Sequence, residues 1–272
     1  MFQNLIKTTF NNLQGESFLT INISNHKATV IERGVYYFNL SNYPNITKKE
    51  CNDIIAFIKY EESYGRKTEI LSNNEDILTI INNAVARLDT DEKIVLPEEN
   101  KFVYHGTNIA AAREILSSGK LLSAAKVYGK TGAELVFEKR NSLWNDPADY
   151  FEYIMFCWGD NPTGDYVVLS ENFPSEEDLN NGNFNPGVRF YFIYNDLMKH
   201  PGYTSDGYHA VKIKDEIILS NYLHSCIVPE QYKNELKDHA LLELISKVHY
   251  LPQNKLGILE WNKKVYNFIN KL

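Results

Sequence analysis

An α+β chain is predicted, with a small N-terminal unit over residues 1–95 and a larger unit over 96–272, and three observations carry this. Apolar residues first alternate with polar ones, then recur on single helical faces. The second half breaks into short β-prone runs between turn formers. With 43% apolar residues, 18 Tyr and 14 Phe, the 272-residue chain can bury a sizeable core without metal or disulfide staples.

In the first unit, Leu19, Ile21 and Ile23 have the period of a half-buried strand, and Val35–Phe38 is a second β-prone run. A helix is predicted to start at Thr47, because Glu50 three residues on completes a capping box. Its apolar face is Cys51, Ile54, Ile55 and Ile58. A second helix runs through Ile77, Ile80, Ile81, Ala84, Val85 and Leu88. No site chemistry is visible in this unit; support, substrate selection and partner binding all remain open to it. The charged, Pro-containing stretch 89–101 marks the boundary.

The second unit begins with a short strand, Lys101–Tyr104, entering His105-Gly106-Thr107. A helix follows over Ala110–Leu116 and stops at Ser118-Gly119. A helix over Tyr150–Trp158 is predicted next, then strands at Tyr166–Leu169, Val188–Tyr194, Glu216–Leu219 and Cys226–Val228. Two helices end the chain, the last with a core-docking stripe of Ile258, Trp261, Val265, Phe268, Ile269 and Leu272.

The net charge of −7 argues against a broad non-specific nucleic-acid surface, though a local basic groove is compatible with it. Three widely spaced cysteines give neither a disulfide framework nor a zinc motif, and Cys157 and Cys226 sit among apolar residues as small core hydrophobes. The N-terminal stretch has no apolar h-region, and no apolar run approaches the roughly 18 residues of a membrane span. A protein working in a cytoplasm, away from membranes, is the expectation.

The chemistry concentrates at Phe102–Asn108. A strand delivers His105, Gly106 permits close approach of a ligand to the backbone, and the following helix offers a positive end. This suits a ligand carrying an amide and ribose hydroxyls. On local sequence alone, a turn with an incidental His is the simpler reading.

The segment YHGTNIAAAREILSSGKLLSA (104–124) resembles the first motif of the ADP-ribosyltransferase superfamily, in the His-Gly form of poly-ADP-ribose polymerases and diphtheria-type toxins. Residues 132–175 resemble the family's middle block, a loop, a helix with a nicotinamide-packing Tyr, and a strand. VKIKDEIILSNYLHSCIVPE (211–230) resembles its last motif, in which a Glu opens a strand. Each piece alone is weak; three in order over residues 101–230 are moderately specific.

The resemblance implies a split, mostly antiparallel sheet around an NAD⁺ cleft, with NAD⁺ as substrate and no metal. His105 would hold an adenosine-side ribose hydroxyl, Gly106 would pair its backbone with the nicotinamide carboxamide, and Thr107 matches the small hydroxyl position. Tyr150, or in second place Tyr153, would stack on nicotinamide. Glu216 would be the catalytic carboxylate, with Asp215 as its rival. Breaking the nicotinamide–ribose bond builds positive charge on the sugar, which a carboxylate stabilises, and an aromatic face orients the leaving ring.

The chain also departs from the family. Glu134-Leu-Val-Phe137 stands at the family's Gly-Ile-Tyr-Phe position, which leaves part of the nicotinamide clamp open. No Ser-Thr-Ser or Glu-x-Glu motif is present, and Lys214 precedes Glu216 by two, which disfavours arginine acceptors. His209 lies shortly before Glu216 and is either near the site or a packed or surface His.

The function implied is mono-ADP-ribosyl transfer to nucleic acid or protein, as in a toxin or defence effector with an inhibitory antitoxin partner. An NAD⁺ glycohydrolase and a non-catalytic NAD⁺ or ADP-ribose binding module are the alternatives. The RNA 2′-phosphotransferase reading ranks last, because no basic cluster suits a 2′-phosphate.

Overall fold

The computed structural model describes residues 18–24, 30–32, 35–87, 101–138, 147–169 and 173–272. Leu88, the stretch 89–100 and the Trp144 turn lie outside the described residues. The fold is mixed α+β with one large mixed sheet. The described residues fall into two compact units. The first holds those up to Pro97, Pro147 and Ser205–Tyr208; the second holds those within Glu98–Glu138, Ala148–Thr204 and His209–Leu272.

The first unit contains β1 (Phe18–Ser24), β2 (Val30–Glu32), β3 (Val35–Asn39), α1 (Lys48–Ser63), β4 (Lys67–Ser72) and α2 (Glu75–Arg87), with strand order β2-β3-β1-β4. β1 runs parallel to both β3 and β4, so the chain from β3 to β4 needs a crossover, and α1 supplies it. The predicted capping box at Thr47 and Glu50 is present. The Glu50 carboxylate also accepts from the Ser41 backbone and hydroxyl, each at 2.8 Å. Partial burial pushes the Glu50 pKa up, but the hydrogen bonds from Thr47 and Ser41 outweigh this and hold it below its usual value. The core is Ile21, Ile23, Tyr36, Phe38, Ile54, Phe57, Ile77 and Ile81 with their neighbours, and Tyr36 stacks on Phe57 at 3.9 Å. Ser205–Tyr208 belongs to this unit. The Tyr36 hydroxyl donates to the Gly207 carbonyl at 3.3 Å, and Tyr208 meets the Tyr36 ring edge-on.

The second unit opens with β5 (Phe102–Thr107), α3 (Ile109–Ser118), β6 (Lys120–Leu122), α4 (Ala124–Tyr128) and α5 (Gly132–Phe137). A 3-10 turn over Ala148–Glu152 leads into β7 (Tyr153–Trp158), α6 (Thr163–Leu169), α7 (Glu176–Asn180), β8 (Val188–Ile193), α8 (Tyr194–Leu197) and β9 (Tyr203–Thr204). β10 (Val211–Lys214), β11 (Glu216–Ile218), α9 (Leu219–Tyr222), β12 (Leu223–Pro229), α10 (Lys233–Leu236), β13 (Val248–Leu251) and α11 (Ile258–Ile269) complete it. Seven strands form one sheet in the order β13-β12-β8-β5-β7-β10-β9, antiparallel except for β12 with β13, and β6 pairs with β11 as a separate two-stranded sheet.

On one face of the seven-stranded sheet, Phe102, Tyr104, Tyr191 and Ile227 pack with Trp261, Val265 and Ile269 of α11. Each such buried side chain contributes about 1.5–3 kcal/mol through removal from water. Beneath α11, Arg189 is fully buried and makes a two-point ion pair with Asp165. Its Nη1 donates to the Tyr191 hydroxyl at 2.9 Å and the Asn262 carbonyl oxygen at 2.8 Å. Burial opposes the guanidinium charge, and Asp165 beside it outweighs that, so Arg189 remains ionised. The network ties β8, α6 and α11 together behind β5.

Three elements correct the expectations. Tyr150–Trp158 is not a helix: Tyr150 lies in the 3-10 turn and Tyr153–Trp158 is strand β7 between β5 and β10. Tyr166–Leu169 is not a strand but the end of helix α6, whose first residues are fixed by Tyr104 and by the Asp165–Arg189 pair. The chain ends in one long helix, α11, preceded by strand β13 rather than by a second long helix.

Candidate active site

β5 carries His105, Gly106 and Thr107 through the centre of the large sheet, fully paired with β8 along one edge. Along the other edge, β7 pairs with β5 at Val103 and Tyr104 only. The ladder ends there although β5 runs on to Thr107 and β7 begins at Tyr153. Strand parity fixes what faces the opening. The Phe102 carbonyl accepts from Gly159 N–H at 2.8 Å, just past β7, so Phe102 turns its peptide groups toward β7. The period of two turns Tyr104 and Gly106 the same way. The N–H and C=O of Gly106 therefore lie on the open edge.

The Met155 carbonyl is taken instead by the His105 side chain, with Nδ1 at 3.1 Å. A carbonyl only accepts, so Nδ1 carries the proton, and in neutral imidazole Nε2 is then left as an acceptor. Burial lowers the His105 pKa below 6.5, and the Met155 hydrogen bond only partly offsets this, so the ring is neutral at pH 7. Such a ring accepts a hydroxyl hydrogen bond without adding charge.

Gly106 is tightly packed on one face. A Cβ built there would lie 3.1 Å from the Gly164 carbonyl oxygen, at the start of α6. Gly164 itself donates its N–H to the Tyr104 hydroxyl at 3.0 Å, and that hydroxyl donates to the Asn161 carbonyl at 2.9 Å. The face above Gly106 is thus filled, and its peptide groups point along the edge, in the plane of the sheet. Thr107 ends β5, half-buried, and Asn108 caps α3 by accepting from Ala111 N–H at 2.9 Å.

No protein-family model, curated protein or solved structure matches this chain.

Tyr150 and Tyr153 lie on either side of the junction between the 3-10 turn and β7. Tyr150 is 2% exposed, with Lys212 Nζ 3.7 Å from its ring centroid and the His209 ring edge-on at 5.5 Å. Tyr153 is half-buried, with the same ammonium at 4.6 Å. Of the two rings, Tyr153 is the more exposed. Lys212 was not singled out by the sequence. Its place in Val211-Lys-Ile-Lys214 gives no sign of full burial, and its only signal is that it sits on a strand opposite Met155.

Glu216 opens β11, paired with Leu122 of β6. Ile217 and Leu121 are buried, while Glu216 and Lys120 share the exposed side, Nζ to carboxylate 3.3 Å. Asp215 precedes it in the left-handed region at φ 66°. Its N–H donates to the Glu152 carbonyl at 2.9 Å and its carbonyl accepts from Ser123 N–H at 2.8 Å. The carboxylate turn is therefore stitched to the turn that carries Tyr150 and to the start of α4.

The structure joins Tyr150, Tyr153, His209 and Lys212 in one cluster and links His105 to β7 through Met155. The ion-pair partner of Glu216 among the described residues is Lys120. The cysteines are packing groups: burial pushes the Cys157 thiol up to about 12, and the thiol of fully buried Cys226 higher still. Among the described residues, no three His, Cys, Asp or Glu side chains are grouped to hold a metal.

Proposed function

We propose that this chain is a mono-ADP-ribosyltransferase that takes NAD⁺ as substrate and passes ADP-ribose to a macromolecular acceptor. The observation that supports this best is the opening of the β5–β7 ladder at His105-Gly106. It presents one N–H and one C=O side by side, the pattern a planar carboxamide pairs with. His105 beside it is neutral and has Nε2 as acceptor for a ribose hydroxyl.

In this reading the carboxamide of nicotinamide pairs with Gly106, the ring lies on Tyr153, and His105 holds the adenosine-side ribose. Glu216 stabilises positive charge on the nicotinamide ribose as the C1′–N bond lengthens, and takes the acceptor's proton. To do so it exchanges Lys120 for the substrate. Asp215 has its backbone committed to Glu152 and Ser123, which favours Glu216 as the mobile carboxylate. Hydrolysis of NAD⁺ is the second reading, favoured by the exposure of Glu216 to solvent.

The test is incubation of the purified chain with tagged NAD⁺ and lysate, with Glu216→Gln alongside. Transfer predicts label on macromolecules, a 10²–10³-fold loss of rate in Glu216→Gln, and unchanged NAD⁺ affinity by calorimetry. Free ADP-ribose without labelled macromolecule selects the glycohydrolase. Binding with no turnover in the wild type defeats both readings.

A further inference from the structure

The helices beside the carboxylate turn carry a surface that the reading above does not use. Lys120, Lys126 and Lys130 lie on β6, on α4 and just before α5, with Glu134 and Glu138 on and at the end of α5, within a protein of net charge −7. The same elements expose apolar and aromatic side chains. Val127 and Tyr128 project from α4 and Val136 and Phe137 from α5, with Tyr128 43% and Phe137 88% exposed.

The location of this surface is fixed at both ends. α4 starts at Ser123, which is bonded to Asp215, and Lys126 lies 4.0 Å from the Asp215 carboxylate. α5 starts at Gly132, pressed so closely on Ala148 that a Cβ there would come within 1.8 Å of the Ala148 carbonyl oxygen. Its first helix begins at the carboxylate turn and its second against the turn that carries Tyr150.

Resting on the transferase reading, we propose that this face receives the acceptor and that the acceptor is a single-stranded nucleic acid. Flat, exposed aromatic rings interleaved with lysines match bases and phosphates alternating along a strand. The lysines are held in ion pairs with Glu216, Asp215 and Glu138, the first two pairs half-exposed and the third about one-third exposed; exposed pairs contribute little, and a phosphate can take the place of the carboxylate. A phosphate that takes Lys120 also releases Glu216. In the transfer, the C1′–N bond to nicotinamide breaks with its electron pair leaving on the ring nitrogen, which gives neutral nicotinamide. A lone pair on a base nitrogen forms the new C1′–N bond, and the displaced proton passes to the Glu216 carboxylate and on to water.

The experiment uses the purified full chain, tagged NAD⁺, and two acceptor arms: mixed-sequence single-stranded DNA and RNA oligonucleotides, and a nucleic-acid-free protein extract. Label is expected on the oligonucleotides. It should fall about ten-fold for each of Phe137→Ala and Tyr128→Ala, and fall steeply as salt rises from about 50 to 200 mM. Release of free ADP-ribose by Tyr128→Ala should stay within about two-fold of wild type, since Tyr128 lies outside every position assigned to NAD⁺. Label confined to the protein arm overturns the proposal, as does oligonucleotide labelling indifferent to both variants. A wild-type chain that consumes no NAD⁺ defeats the transferase reading itself, and is recognised before either arm is compared.

Discussion

His105 Nδ1 stands 3.1 Å from the carbonyl oxygen of Met155, a strand neighbour whose backbone would otherwise continue the ladder with Gly106. This bond fixes the tautomer of the ring and stands in for a rung of the sheet. Burial depresses the His105 pKa below 6.5. Below that value the unfolded chain takes up a proton that the folded chain refuses. Stability is therefore full above pH 6.5 and declines as pH falls toward the folded-state value.

The urea midpoint should accordingly drop as pH goes from about 7.5 to 5. His105→Asn, which keeps a donor toward Met155, should flatten part of that slope. His200, His224 and His249 are shifted in the same direction by burial, so some slope will remain. An identical slope in the variant would show that His105 is not excluded from protonation.

Gly106→Ala tests the packing role of the glycine. The new methyl must push back the Gly164 carbonyl, which Tyr104 holds in place. Overpacking of this kind costs about 1–3 kcal/mol, and the reduced freedom of the unfolded chain returns about 0.4–1 kcal/mol. A net loss of about 1–2 kcal/mol in denaturant unfolding is expected. A gain in stability would mean that α6 moves away freely.

Asp165→Asn removes the partner of a fully buried guanidinium. The loss should be about 3–5 kcal/mol, because Arg189 keeps its charge with no counter-ion. Replacing both residues with apolar groups should cost less than Asp165→Asn alone. Chemical denaturation of the three chains measures the difference.

The sequence made legible the elements whose signals are local. α1 was fixed by Thr47 and Glu50, and the end of α3 by Gly119 at φ 68°. β8 followed from the turn formers that flank a β-prone run, and α11 from its apolar stripe. The errors fell where long-range contacts decide. Tyr153–Trp158 is apolar without a break, so its period distinguishes neither helix nor strand, and pairing with β10 and β5 settles it. Tyr166–Leu169 has a β-prone composition, yet the burial of Asp165 against Arg189 holds it as a helix. At the candidate site, the strand that carries His105 and Gly106 and the helix after it were readable from the sequence. The different burial of Tyr150 and Tyr153 was not, because it depends on strand pairing and on Lys212 packing against both rings.

Gly207→Ala probes the first unit. Gly207 has φ 64°, and a Cβ there would lie 1.8 Å from the Asp53 carbonyl oxygen on α1. Left-handed strain of about 1–2 kcal/mol adds to overpacking of about 1–3 kcal/mol. A loss of about 3 kcal/mol is expected in the unfolding of that unit, read by the fluorescence of a tryptophan substituted at exposed Tyr64.

Tyr36 and Gly207 bond across 171 residues of chain. During synthesis, the N-terminal unit emerges first but cannot complete its core until Ser205–Tyr208 has been made. By then β5, β7 and β8 have already been synthesised. The last contacts of the first unit therefore form only after much of the second has been synthesised.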